Sequence, residues 1–204
     1  LDGPDPVEEA VELAKKVDKV VIVAGLTPEW EAEGFDRVDM FLPNRQNELI
    51  EKISKVNKNV VVCLNVGSPV AMPWINQVSA VLQTWYLGQE TGNAIADILF
   101  GKANPSGKLP TSFPTKLEDN PSFVNFPGEN AHVNYGEGLY IGYRYYDKKQ
   151  IKPLFPFGHG LSYTKFEYSD LVLPNLVTPG ETVKITMQLK NTGERPGKEV
   201  VQLY

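Results

Sequence analysis

The sequence has a single cysteine, Cys63, and two histidines, His132 and His159, among 204 residues. One cysteine excludes an internal disulfide, so any stable fold rests on its own apolar core. Cys63 lies in the run Val60-Val61-Val62-Cys63-Leu64 and reads as a small core hydrophobe in a buried strand. The histidines are far apart and have no cysteine or acidic cluster at metal-ligand spacing, so no metal site is indicated. Positive charge is short as well: 20 Lys and Arg against 25 Asp and Glu leave a net charge of −5. That balance disfavours nucleic acid or an anionic membrane surface as a partner, since both need a basic patch. No apolar run is long enough to span a bilayer. The two Asn-x-Ser triplets, at Asn104 and Asn120, have proline in the middle and are not glycosylation acceptors. Residues 101–108 lack the spacing of a phosphate loop, and Ser162 is followed by Tyr163 rather than the glycine of a nucleophile elbow. There is no internal repeat and no low-complexity tract. A chain without disulfides leaves the compartment open. No start methionine or signal sequence precedes Leu1, which reads as the beginning of a piece of a longer chain.

What is present is ordinary globular composition, 42% apolar and 22% charged, which argues against disorder. A first helix is expected with Asp5 as its cap, Pro6 at the first position and Glu8 and Glu9 in the first turn. Val7, Ala10, Val11, Ala14 and Val17 give it a helical apolar period. Residues 19–24 form a short apolar strand ending at Gly25, followed by a long polar loop over 26–42. Pro43 opens a second helix with Leu49, Ile50, Ile53 and Val56 on one face. Residues 59–66 are apolar on both faces, as strands of covered parallel sheets are. A third strand over 78–85 and a third helix over 93–100, stopped by Gly101, follow. This order predicts a doubly wound, mainly parallel α/β sheet sandwiched by helices.

From 101 to 163 the chain is irregular and rich in Pro, Gly and aromatics, as functional or packed loops are. Residues 166–168, 182–190 and 198–204 then alternate apolar and polar as half-buried strands do, with a turn at Asn191-Thr192-Gly193-Glu194. Three such strands are the opening of an all-β sandwich that needs about seven.

The chemistry-bearing segment is the loop after the first strand: Glu29-Trp30-Glu31-Ala32-Glu33-Gly34-Phe35-Asp36-Arg37. In open α/β sheets, ligands sit beyond the carboxyl ends of the strands, where this loop starts. Carboxylates mixed with aromatics suit a sugar, because acids move protons and rings stack on the apolar face of a pyranose. Composition by itself favours the plainer alternative of a solvated acidic loop.

Three blocks together resemble glycoside hydrolase family 3. They are Glu33-Gly34-Phe35-Asp36-Arg37 with the following Leu42-Pro43-x-x-Gln46; Tyr135-Gly136-Glu137-Gly138 leading into Tyr143-Arg144-Tyr145-Tyr146; and Phe157-Gly158-His159-Gly160-Leu161-Ser162-Tyr163. The resemblance covers essentially the whole chain. It implies that 1–164 is the C-terminal α/β sandwich domain of such an enzyme and that 165–204 begins a fibronectin type III-like domain. The fungal-type β-glucosidases of the family are the nearest match. They are retaining enzymes that remove terminal glucose from cellobiose and related β-glucosides. Carried over residue by residue, Glu33 is the general acid/base, Phe35 a wall of the leaving-group site, and Trp30 an additional substrate contact. Glu29 and Glu31 match no role. Glu137 takes a structural role with some chance of lining the cleft, and Arg144 and Asp147 are expected to pair or cap. The nucleophile, an Asp, belongs to an N-terminal (β/α) barrel outside this chain, so the chain alone is expected to be inactive. The resemblance implies no cofactor and favours an extracellular over a cytoplasmic location. Alternatives are a β-xylosidase or other family 3 exo-glycosidase, a non-catalytic carbohydrate-binding module, and a purely structural interaction domain.

Overall fold

A computed structural model describes residues 3–204. The described chain divides into two compact units: residues 3–95 with 111–157, and residues 96–110 with 158–204.

The first unit is built on a parallel sheet of three strands in the order β1 (Val20–Gly25), β2 (Val60–Asn65), β3 (Ala80–Gln83). The central strand is buried on both faces, with Val60, Val62, Cys63 and Leu64 fully inaccessible. The uninterrupted apolar run around Cys63 is thus explained by position in the sheet. Edge strand β1 alternates: Ile22 and Ala24 are buried, Val21 and Val23 exposed.

Helix α1 (Pro6–Ala14) starts as its sequence dictates. The Asp5 carboxylate accepts the Val7 amide at 3.0 Å, and Val7, Val11 and Ala14 form the buried stripe. It packs on α2 (Gln46–Val56), which buries Ile50 and Ile53. Arg45 and Lys52 tie the two helices. The Arg45 guanidinium grips Asp5 at 2.7 and 2.8 Å and Glu48 at 2.6 and 2.8 Å, and Lys52 lies 2.5 Å from Glu8 and 3.0 Å from Glu48. Helix α2 begins at Gln46 rather than at Pro43. Asn44 takes a left-handed backbone (φ 56°), which a helix interior does not admit, so Pro43-Asn44 forms a turn in front of the helix.

The freed Gln46 side chain pairs with the end of β1. Its Oε1 accepts the Gly25 amide at 2.8 Å and its Nε2 donates to the Gly25 carbonyl at 2.9 Å. A side chain at Gly25 would collide with the Asn65 carbonyl of β2, so the close strand approach here requires glycine. The site loop therefore departs from a fixed point. The third strand is shorter than its apolar run, because at Trp85 the backbone turns left-handed (φ 55°). Helix α3 (Thr91–Leu99) follows.

Two expectations for the irregular stretch over 101–163 need correction. The stretch Tyr143–Lys149, read as irregular, is a seven-residue helix, α4. Its Tyr-Arg-Tyr-Tyr sequence carries no apolar period; Tyr146 alone is buried, and the remaining rings pack laterally. Arg144 and Asp147 form no ion pair among the described residues; the Arg144 guanidinium lies 6.0 Å from the Tyr143 ring centroid instead.

The second unit contains an antiparallel pair, β4 (Phe166–Val172) and β5 (Thr186–Asn191). A bulge between Ser169 and Val172 coincides with the left-handed Asp170 (φ 51°). Residues 198–204, expected as a third strand, join neither sheet. They are fastened by side chains: Lys108 bonds Glu199 at 3.1 Å and the Gly160 carbonyl at 2.7 Å, with only 16% and 9% of the two charged side chains exposed. Gln202 Nε2 also donates to the Gly158 carbonyl at 3.3 Å. Asn104 fastens the chain just before this stretch. Its Oδ1 accepts the Ser162 hydroxyl and the Tyr163 amide, and its Nδ2 donates to the Pro196 carbonyl at 3.0 Å. Of the apolar side chains expected on the two sandwich faces, Val183, Ile185 and Leu189 on one and Val201 and Leu203 on the other are exposed, while Met187 is half-buried. No helix among the described residues is long and apolar enough to cross a membrane.

Candidate functional site

The loop after β1 folds back on itself immediately above the sheet. The Trp30 and Glu31 amides bond the Thr27 carbonyl at 2.8 and 3.0 Å, closing a turn over Thr27–Trp30. Ala32 and Phe35 then pair as an antiparallel bridge, which leaves Glu33 and Gly34 at the tip of a two-residue turn. Glu33 is exposed and makes no hydrogen bond or ion pair among the described residues. Phe35 and Trp30, 48% and 44% exposed, stand on either side of it in sequence. The structure thus gathers Glu33, Phe35 and Trp30 on one short loop. Glu29 is exposed too, its carboxyl held below the ordinary range first by the Thr27 hydroxyl.

Glu31, for which the sequence suggested no role, is the best-connected residue of the loop. One carboxylate oxygen accepts the Gly67 amide at 2.8 Å and the Tyr86 hydroxyl at 2.5 Å; the other accepts the Ser68 hydroxyl. The partners lie 36, 37 and 55 residues away in sequence, on the loops after β2 and β3. No local motif could have announced that meeting. Burial would push the Glu31 carboxyl up, but the bonds from Ser68, Tyr86 and Gly67, with Arg37 nearby, outweigh it and hold the group below the ordinary range. Tyr86 responds in the opposite sense: burial and then the Glu31 charge push its hydroxyl up to about 12. Glycine at 67 lets both partners come this close, since a Cβ there would sit 2.8 Å from the Tyr86 ring and 2.9 Å from the Glu31 carboxylate.

Arg37 closes the far side of the turn. Its Nη1 donates to the Ser68 hydroxyl oxygen at 3.0 Å and to the Pro69 carbonyl at 3.2 Å. Arg37 and Ser68 also reach the rim of an open cavity of about 450 Å³, further lined by Asp39, Asn120, Glu137 and Tyr146. The rival carboxylate Glu137 is half-buried in that cavity rather than on the turn. Its place differs from that of Glu33, which stands free.

The glycosyl hydrolase family 3 C-terminal domain profile matches residues 4–163. The chain belongs to that family. It is 53% identical to thermostable beta-glucosidase B of Acetivibrio thermocellus, covering all of this chain and 27% of that protein. It is 51% identical to probable beta-glucosidase I of Aspergillus oryzae, over 97% of this chain and 24% of the relative. Among solved structures, the beta-glucosidase of Kluyveromyces marxianus in complex with glucose superposes with a TM-score of 0.87 at 47% identity, over 95% of this chain and 23% of that one. Beta-glucosidase 3B of Thermotoga neapolitana in complex with glucose gives 0.83 at 42% identity, over 95% and 28%. The chain spans about a quarter of the length of the curated relatives it matches.

Proposed function

We propose that this chain is the C-terminal α/β part of a retaining β-glucosidase acting on cellobiose and related β-glucosides, and that it supplies the general acid/base, Glu33. The observation that carries the reading is the turn. An unpartnered carboxylate is held at the tip of a bridged two-residue turn, at the carboxyl end of a parallel sheet, flanked by two half-exposed aromatic rings. The names of the similar proteins support it.

In the first step a carboxylate of another domain attacks the anomeric carbon, while Glu33 gives its proton to the departing glycosidic oxygen. In the second step Glu33 takes a proton from water, whose oxygen attacks the same carbon and releases the carboxylate. The two carboxylates of a retaining site stand about 5–5.5 Å apart. The nucleophile is proposed to lie on an N-terminal (β/α) barrel of the same longer protein. Assayed alone, this chain is expected to turn over no glucoside. Phe35 and Trp30 are assigned to the leaving-group sugar. Residues 165–204 are assigned to the start of a fibronectin type III-like domain, with the boundary near Thr164. A role in cellulose breakdown outside the cell fits this substrate class.

The test is Glu33→Ala in the full-length enzyme. Turnover of cellobiose, whose leaving group needs protonation, is expected to collapse. Glycosylation by an activated aryl glucoside falls much less, and azide restores the second step by replacing the activated water. Normal cellobiose turnover in Glu33→Ala, together with its loss in Glu137→Ala, would move the assignment to Glu137.

A further inference from the structure

One serine holds both ends of the Glu33 turn. Ser68 donates its hydroxyl proton to Glu31, two residues before Glu33, and its oxygen receives Arg37 Nη1 at 3.0 Å from four residues after it. We propose that Glu31, Ser68 and Arg37, completed by Tyr86, form a clasp that sets the position of the Glu33 carboxylate, making them positioning residues for proton transfer. The inference rests on the reading of Glu33 as the acid/base.

The geometry favours a clasp over a chance surface cluster. Glu31 takes three donors from two other loops, so this one carboxylate joins the chain as it leaves the carboxyl ends of β1, β2 and β3. Gly67 permits the approach, since a Cβ there would crowd both the Tyr86 ring and the Glu31 carboxylate. Tyr86 is presented by Trp85, a bulky residue kept in the left-handed region (φ 55°) with its ring edge-on to the fully buried Phe113. Backbone strain of this kind collects where a side chain must be aimed.

The cluster sits at the edge of the core rather than in it. Tyr86 is 52% exposed, and Glu31, Arg37 and Ser68 are only half-buried. What the clasp orders is the loop over 31–37. Each residue of free chain adds up to roughly 3.3–3.6 Å of reach. A turn released at Glu31 and Arg37 could therefore carry Glu33 several ångströms from a glycosidic oxygen. Misplacement by about 1 Å can cost about a hundredfold in rate.

The experiment compares Ser68→Ala, Glu31→Gln and Tyr86→Phe with Glu33→Ala in the full-length enzyme. Each is assayed on cellobiose and on a dinitrophenyl glucoside that needs no protonation of its leaving group. Loosening the clasp is expected to lower kcat for cellobiose about tenfold to a hundredfold, leave its KM within a factor of about two, and spare glycosylation by the aryl substrate. Hydrogen exchange at amides 31–37 is expected to accelerate while that of 60–65 stays unchanged. If Ser68→Ala does not fold, Tyr86→Phe asks the same question by removing a single hydroxyl. Wild-type kinetics, or equal losses on both substrates, overturn the clasp while Glu33→Ala remains dead on cellobiose. Full cellobiose turnover in Glu33→Ala removes the acid/base reading and the clasp with it.

Discussion

Phe35 faces solvent two residues beyond Glu33, within the bridge that shapes the turn. The stacking role proposed for Phe35 can be tested by its removal. Phe35→Ala is expected to raise KM for cellobiose more than for a small alkyl glucoside, by about 0.5–1.5 kcal/mol in the comparison. Equal effects on the two substrates would make Phe35 an anchor of the loop instead. At this scale the sequence was legible where a residue's role is local. Asp5 caps α1, Cys63 is wholly buried with its thiol pushed up by that burial, and Glu33, Phe35 and Trp30 share one loop. It was illegible for Glu31, because a carboxylate's partners are chosen by strand order and not by its neighbours in the chain.

The helices and strands of the first unit were largely written in their apolar periods, and departures have local causes. Asn44 delays α2, Trp85 shortens β3, and α4 is stabilised by ring packing that no 3.6-residue count detects. The α1–α2 junction makes a testable case of electrostatics between elements. Hydrogen bonds from Arg45, then Lys52, hold the Glu48 carboxyl at about 2 against an ordinary 4.5, and Asp5 is lowered for the same primary reason. A lowered carboxylate stabilises the folded state fully above its unfolded value and loses that contribution as pH falls through the folded one. Melting temperature is therefore expected to drop between pH 4.5 and 2, less steeply in Arg45→Gln and in high salt, because the network is solvent-exposed. An Arg45→Gln curve parallel to wild type would show that other carboxylates govern the acid limb.

Across the whole molecule, the α/β class and the family were readable from spaced motifs, whereas the third tail strand was not formed. Alternation marks a segment able to become a strand, but a strand exists only when a neighbour offers its backbone. With Val183, Ile185 and Leu189 exposed, amides from 182 to 204 are expected to exchange much faster than those of 60–66. Equal protection in a monomeric sample would mean that the tail is packed and that a boundary near Thr164 is misplaced. The second unit also has a consequence for synthesis. It is assembled from two separated stretches, and Asn104 reaches its acceptor at Pro196 only 92 residues further along the chain. A ribosome adds about 5–20 residues per second, so residues 96–110 emerge roughly 5–20 seconds before that contact can form. During that interval Lys108 lacks Glu199 and Asn104 lacks Pro196. The order of manufacture thus leaves this early segment waiting for its partners until the end of the second unit has been made.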